Sequence, residues 1–337
     1  MPEPSPDEDR RDHVVLVGDI GGTYARFALA RDGRLLTEPR RVERARSRDL
    51  ASACREHLDG HGGGLRIDGA AIAAAGRVQD GRIAMTNADW SVDAAALAGE
   101  LGLRARRVSV LNDFGALAWS LPSLAAAELQ PAPGGAAALA GRGVPVAAAD
   151  GHRVVLGPGS GLGVAALLRT AHGWQPLATE GGHASAAPET PLERLAVEIA
   201  ARRFGRASWE RLLSGPGLAL LHEAACVESG RACRDVDAAA TLEACARGDA
   251  DALRAARAFL DLLGAYAGDL ALLFDATGGV VIGGGIVPRI AGQLPLDALR
   301  TRFEAKGRFA GWLATVPLGV LASPFAALRG AALAYLG

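Results

Sequence analysis

The sequence is almost without lysine. Lys306 is the only one among 36 basic residues, so the positive charge of the chain is arginine. Cationic help for a bound phosphate must therefore come from arginine, Lys306, a metal or backbone N–H groups. Cysteine is scarce too: Cys54, Cys226, Cys233 and Cys245 include no Cys-x-x-Cys pair. That argues against a zinc knuckle and for a reduced, cytoplasmic setting. Neither sign of charge prevails. With 36 basic and 37 acidic residues the net charge is −1, which points to neither nucleic acid nor an anionic membrane as partner. No apolar run reaches the roughly 20 residues of a membrane helix. The opening MPEPSPDEDRRD lacks the basic and apolar regions of a signal peptide, and residues 1–12 are expected as a disordered tail. A Walker A sequence, GxxxxGK followed by Ser or Thr, is also missing.

What is present is a globular chain, 337 residues long and half apolar, enough for two cores. Its organising stretch is VVLVGDIGGTYARFALA at 14–30. It reads as a buried strand, a Gly-Gly turn and a second strand. Asp19 stands at the tip of the first strand. Gly21 and Gly22 can take positive φ and approach a ligand closely, and Thr23 adds a hydroxyl. N–H groups in such a turn can face an anion. A carboxylate beside them suits magnesium on a polyphosphate, since that cation prefers oxygen and retains water. A plain hairpin with a surface aspartate explains the same residues.

The pattern returns. Strand 153–156 runs into GPGSGLG at 157–163 and strand 164–169 leaves it, which suggests an internal duplication. Strand 278–282 ends in a third glycine turn, Gly283, Gly284 and Gly285. Strands are also expected at 26–30, 34–43, 69–75, 108–111 and 316–321. Helices are expected at 47–58, 94–101, 114–120, 192–204, 218–228, 238–246, 249–276 and 326–335, and a loop region at 125–150. Strands followed by helices, twice over, indicate two α/β domains. The expected division is 13–122 plus 322–337 for a small domain and 123–321 for a large one. Three glycine turns at strand ends suggest a nucleotide lying across a crevice.

Asp113 follows Asn112 at a strand end, where α/β folds bind ligands. A carboxylate there can accept a hydroxyl proton during phosphoryl transfer, or Asn-Asp can simply cap the next helix. Asn87, Asn112, Glu180, His183 and Glu210 form a set of amides, carboxylates and one imidazole suited to a polyhydroxyl sugar. Glu210 as a first-turn helix residue and His183 as a loop brace are the plainer readings.

The blocks VGDIGGTYARFAL, AAAGRVQDGRIAMTNADW, VLNDFGALAWSLP, LGPGSGLGVAAL, TEGGHASAAP, WERLLSGPGLALLHEA, GGVVIGGGIVPR and FEAKGRFAGWLATVPLGVL resemble, in order, those of bacterial glucokinases. The resemblance implies a two-domain actin-like, hexokinase-like (ribonuclease H-like) ATPase fold. It implies transfer of the γ-phosphoryl of ATP to the 6-hydroxyl of glucose with Mg²⁺, commonly by a homodimer. Asp19 would face Mg²⁺ through water, in the run Gly18, Asp19, Ile20, Gly21, Gly22 and Thr23 beside the phosphates. Gly159, Ser160 and Gly161 would form a second phosphate turn, and Gly283, Gly284 and Gly285 would lie by the adenosine. Asn112, Glu180, His183 and Glu210 would hold sugar hydroxyls, and Asp113 would be the general base. The chain departs from the family at Tyr24, usually Asn, at Ser160, usually Thr, and at Ala184, Ser185 and Ala186, often Val-Asp-Phe. The last change removes a carboxylate and a ring near the sugar, so a kinase for mannose or glucosamine is the alternative. A sugar-sensing regulator is less favoured, with about a dozen residues before the first strand. The related repressor and sugar-kinase branch carries a cysteine-rich zinc motif after its histidine, and no cysteine lies near His183.

Overall fold

The computed structural model describes residues 12–61, 66–85, 90–130, 150–232 and 236–336. Nearly all of the expected tail, part of the glycine-rich loop after residue 59, most of the 125–150 region, Asn87 and Cys233 lie outside those residues. Asp12, the last residue of that tail, is described. Its N–H donates to Asp32 Oδ1 at 3.0 Å.

The chain divides into two compact units, Met1–Ser123 with Pro324–Gly337, and Leu124–Ser323. In the first, strands β1 (Val15–Ile20), β2 (Tyr24–Arg31), β3 (Arg34–Leu35), β4 (Arg40–Glu43), β5 (Gly69–Ala74) and β8 (Val108–Asn112) form one sheet, ordered β3-β2-β1-β5-β8 with β4 also on β2. A separate hairpin pairs β6 (Arg82–Ala84) with β7 (Ser91–Asp93). β1 runs antiparallel to β2 and parallel to β5, and β5 parallel to β8. Side chains alternate across a strand, so the period-2 pattern sorts two cores. Leu16, Ile20 and Phe27 face one side with Leu50 and Leu97; Val15, Val17 and Ala28 face the other with Leu328 and Tyr335. The helix Ala326–Leu336 crosses the helix Asp113–Ser120 at Gly330, where a Cβ would meet Ala116 O at 1.7 Å.

The second unit repeats the plan. Its strands are β9 (Leu129–Gln130), β10 (Arg153–Pro158), β11 (Leu162–Thr170), β12 (Gly173–Thr179), β13 (Gly279–Ile282) and β14 (Leu318–Leu321), ordered β12-β11-β10-β13-β14-β9. β10 is antiparallel to β11 and parallel to β13, as β1 is to β2 and β5. The helix Ala250–Leu273 fills the core, and bare Gly264 and Gly268 admit the helix Asp297–Glu304 against its backbone. Glu193, wholly buried, closes a capping box with Thr190 and meets Arg302, so its charge is compensated.

Several elements differ from expectation. The strand at 34–43 is two short strands, interrupted around Pro39, which has no N–H for the ladder. β12 was not anticipated because Pro176 weakens its pattern; it is an edge strand, where proline is tolerated. The helix expected at 218–228 starts earlier, with Ser214 capping Gly215–Glu228, and a further short helix, Trp209–Leu212, capped by Ser208, precedes it. The helices Ile286–Ala291 and Asp297–Glu304 were likewise unforeseen.

Candidate active site

In the first unit β1, β5 and β8 are parallel neighbours, and Ile20, Ala74 and Asn112 are in register. The turn at Gly21, Gly22 and Thr23, the Gly76 bend and the Asn112-Asp113 pair therefore emerge at one sheet edge. Two strand spacings, about 10 Å, separate β1 from β8. Asp19 is 14% exposed and faces Arg26 across the β1–β2 ladder, with Arg26 Nη1 2.9 Å from Oδ2. Burial pushes its carboxyl above the usual range, outweighing Arg26. Oδ1 has no hydrogen-bond partner among the described residues.

Gly21 and Gly22 do not take positive φ. Their bareness serves approach instead: a Cβ on Gly22 would meet nothing within 4 Å. The Gly21 N–H is spent on Tyr24 O at 2.9 Å, which leaves the N–H groups of Gly22 and Thr23 without acceptors among the described residues. Gly18 lies against Ile72 and Phe27, and Ile20 is buried, so both can meet a ligand only through backbone. The Tyr24 ring carries Arg41 over its face at 3.4 Å.

Capping falls to Asn112, whose Oδ1 accepts from Gly115 N at 3.0 Å and whose Nδ2 donates to Gly76 O at 3.1 Å. A sugar hydroxyl would use its remaining lone pair or N–H. Asp113 is the first helical residue, half-buried, with Oδ1 accepting from Phe114 N at 2.9 Å.

In the second unit β10 and β13 end, and β11 begins, at one sheet edge, and β12 ends there with Glu180 following. Gly159 closes its own turn by donating to Gly161 O at 2.8 Å. Gly161 is bare because Glu210 lies against it: a Cβ would sit 2.5 Å from Oε2, which accepts from Leu162 N at 3.0 Å. Gly284, at φ +86°, packs on Pro158 O, so the third turn rests against the second, while Gly285 has open space. His183 stands between two carboxylates, with Nε2 3.9 Å from Glu180 Oε2 and Nδ1 3.9 Å from Glu210 Oε1. These gaps exceed a hydrogen bond, and the Glu180 and His183 side chains are 65% and 59% exposed.

Glu210 reaches His183 because two segments are zipped together. Trp209 N donates to Ala184 O, Ala186 N to Ala207 O, and Arg206 to His183 O and Ser185 Oγ. Arg206 thus reaches the altered 184–186 stretch at Ser185. A cavity of about 900 Å³ lies at the start of the helix Gly215–Glu228, next to the start of Ala238–Ala246. Gly215 N donates to Gly159 O at 2.8 Å, so the cavity begins beside the second glycine turn. Lys306 Nζ pairs with Asp269 at 2.5 Å. Arg26, Arg44 and Arg206 were missed as site residues. For Arg26 the signal existed: a hairpin that pairs Ile20 with Ala25 sets it opposite Asp19.

A family model described as glucokinase matches residues 16–336. The chain belongs to the glucokinase family. Among curated glucokinases, that of Chromobacterium violaceum is 41% identical over 321 residues, 94% of this chain and 88% of its own. That of Aromatoleum aromaticum is 43% identical over 326 residues, covering 95% and 93%. A crystal structure of a glucokinase from an Antarctic psychrotroph superposes with a TM-score of 0.80 at 30% identity, over 95% of this chain and 98% of that one. A ROK family glucokinase from Streptomyces griseus, in complex with glucose and AMPPNP, shares the fold at TM-score 0.60 and 22% identity, over 95% and 98%. The glucokinase fold here is the actin-like ATPase fold, with its doubled strand-turn-strand frame.

Proposed function

We propose that this glucokinase-family chain phosphorylates glucose at its 6-hydroxyl with ATP, using Asp113 as the general base. Family membership supports the reaction. The assignment of the base rests on one observation: Asp113 stands at the strand-end edge that also carries Asp19 and the N–H groups of Gly22 and Thr23. The 6-oxygen bonds to the γ-phosphorus, the bond to the β,γ-bridging oxygen breaks, and the hydroxyl proton passes to the Asp113 carboxylate, giving glucose 6-phosphate and ADP. Glu180, His183, Glu210 and Asn112 hold the sugar hydroxyls. Asn87, expected among them, lies outside the described residues.

Asp19 fits a magnesium ion held through water, since it offers a carboxylate oxygen at the phosphate turn. Bound there, the ion would neutralise phosphate charge. Gly159, Ser160 and Gly161 form a second phosphate turn, and the adjoining cavity with Gly285 takes the nucleoside. Its volume suits a small-molecule site. A cytoplasmic homodimer is the setting the family resemblance suggests; sedimentation would test the dimer. No helix among the described residues is long and apolar enough to cross a membrane.

Asp113→Asn tests the base. Glucose binding should persist while kcat falls by ~10² or more, as loss of a proton acceptor requires. Near-normal turnover refutes the assignment. A coupled ADP assay over glucose, mannose and glucosamine tests the acceptor.

A further inference from the structure

The first glycine turn is held from behind by a residue outside the family blocks. Arg44 follows β4 and is 8% exposed. Its guanidinium lies over Trp90, 5.0 Å from the ring centroid, and Trp90 is itself 6% exposed. Its Nη1 donates to Gly22 O and, at 3.5 Å, to Gly21 O. Its backbone N–H donates to Thr23 O at 3.1 Å. The turn's three successive carbonyls therefore all face one arginine.

A trans peptide points its C=O and N–H in opposite directions, and no described peptide bond is cis. The Gly21 carbonyl shares its plane with the Gly22 N–H, and the Gly22 carbonyl with the Thr23 N–H. Holding those two carbonyls aims those two N–H groups the opposite way. They are the same two N–H groups that have no acceptor among the described residues. A Gly-Gly link is conformationally loose, and nothing in its own side chains would choose between the two faces of the peptide.

We infer that Arg44 is the positioning residue of the phosphate turn: its guanidinium fixes the Gly21 and Gly22 carbonyls so that the N–H groups of Gly22 and Thr23 are presented to the polyphosphate of ATP. This rests on the reading of residues 21–23 as a phosphate turn. Arg44 acts through the backbone and need not touch the nucleotide. Its charge behind the turn adds to the attraction for an anion.

The test is calorimetric titration of the full chain with magnesium AMPPNP, alongside KM for ATP and for glucose, in Arg44→Ala, Arg44→Gln and Arg44→Lys. Arg44→Ala should weaken nucleotide binding roughly ten- to a hundredfold, the span for a hydrogen bond involving a charged group. KM for glucose should stay within about twofold, because the sugar set belongs to other residues. Arg44→Lys, which keeps a charged donor, should recover part of the loss, and Arg44→Gln less. A residue important only for folding would lower the melting temperature and the active fraction, leaving nucleotide affinity per folded molecule unchanged. If Arg44→Ala does not fold, the other two variants decide. Wild-type affinity in both overturns the inference, and a graded loss supports it. A wild-type protein that fails to bind the nucleotide would instead sink the reading of the turn.

Discussion

The hairpins β1–β2 and β10–β11 are built on one plan and carry different chemistry. In each, the first strand has an antiparallel partner on one side and a parallel one on the other. Register makes the comparison residue by residue. Asp19 opposite Arg26 corresponds to Gly157 opposite Gly163, and Ile20 opposite Ala25 to Pro158 opposite Leu162. One hairpin has a partly buried ion pair where the other has two glycines. Their turns are also held differently: Arg44 grips carbonyls in the first, whereas Glu210 accepts the Leu162 N–H in the second. The shared frame delivers bare N–H groups to a strand end twice. Only the first carries a carboxylate at its strand end, and only the second ties its turn to Glu210, which stands beside His183 in the proposed sugar set.

The likeness extends to the neighbouring strands, where the largest effect is expected. Two residues beyond β5 and β13 stand Gly76 at φ +135° and Gly284 at φ +86°. Both conformations disfavour a side chain, at ~1–3 kcal/mol. They differ in what a Cβ would strike. At Gly76 the nearest atom is Ile83 Cγ2 at 2.7 Å, the end of a side chain; at Gly284 it is Pro158 O at 2.2 Å, which is backbone. Gly284→Ala should thus cost more than Gly76→Ala, by ~1 kcal/mol or more beyond their common strain. Urea unfolding of both variants measures it. Equal losses would mean that the third turn does not depend on its seat against β10.

Much of this frame was legible because it rests on local rules. Buried strands ending in glycine turns announced both hairpins, and Asp49, Asp93, Thr190 and Asp237 cap their helices by ordinary N-cap chemistry. Glu180, His183 and Glu210 were named, with Asn87 and Asn112, from the kinds of group a sugar needs; His183 stands 3.9 Å from a carboxylate oxygen of each glutamate, beyond hydrogen-bond distance. What stayed hidden depends on pairing across long separations. Nothing local joins Arg44 to Gly22, or Arg206 to the His183 carbonyl. An exposed arginine and a buried one also look the same in a chain whose basic residues are nearly all arginine. Gly284 shows the converse, since its glycine was noticed for ligand approach while its positive φ and its contact with Pro158 belong to packing.

A second contrast concerns one buried histidine in each unit. His57 is 1% exposed and lies against Phe27 and the edge of the His61 ring, and neither of its ring nitrogens has a hydrogen-bond partner among the described residues. Burial first, then repulsion from His61 and Arg40, brings its pKa from 6.5 to about 4. His222 is also lowered by burial, but Asp249 and Asp251 oppose the shift. The folded protein refuses a proton at His57 that the unfolded chain takes up near pH 6.5. Stability should therefore fall as pH drops below about 6.5 and the loss should level off near 4, reaching at most ~3 kcal/mol. Urea midpoints at pH 7.5 and 5.0, for wild type and His57→Leu, isolate the contribution. An equally steep loss in the variant would assign the acid sensitivity elsewhere.

The smallest effect separates the two turns most cleanly. Gly22→Ala adds a methyl in open space at a φ that any residue accepts, so folding should change by less than ~0.5 kcal/mol. Its consequence should appear in KM for ATP if the turn holds the phosphates as proposed, because the methyl occupies the open space beside Gly22. Gly161→Ala places its methyl 2.5 Å from Glu210 Oε2, the far end of a side chain that can move. Folding should again suffer little, but the carboxylate would lose its hold on the Leu162 N–H and shift away from His183. A change in the second glycine turn should then raise KM for glucose about tenfold, ~1.4 kcal/mol, whereas Gly22→Ala leaves that constant unchanged. If Gly161→Ala alters KM for ATP alone, Glu210 is not the link between turn and sugar, and the two hairpins are closer in function than their charges indicate.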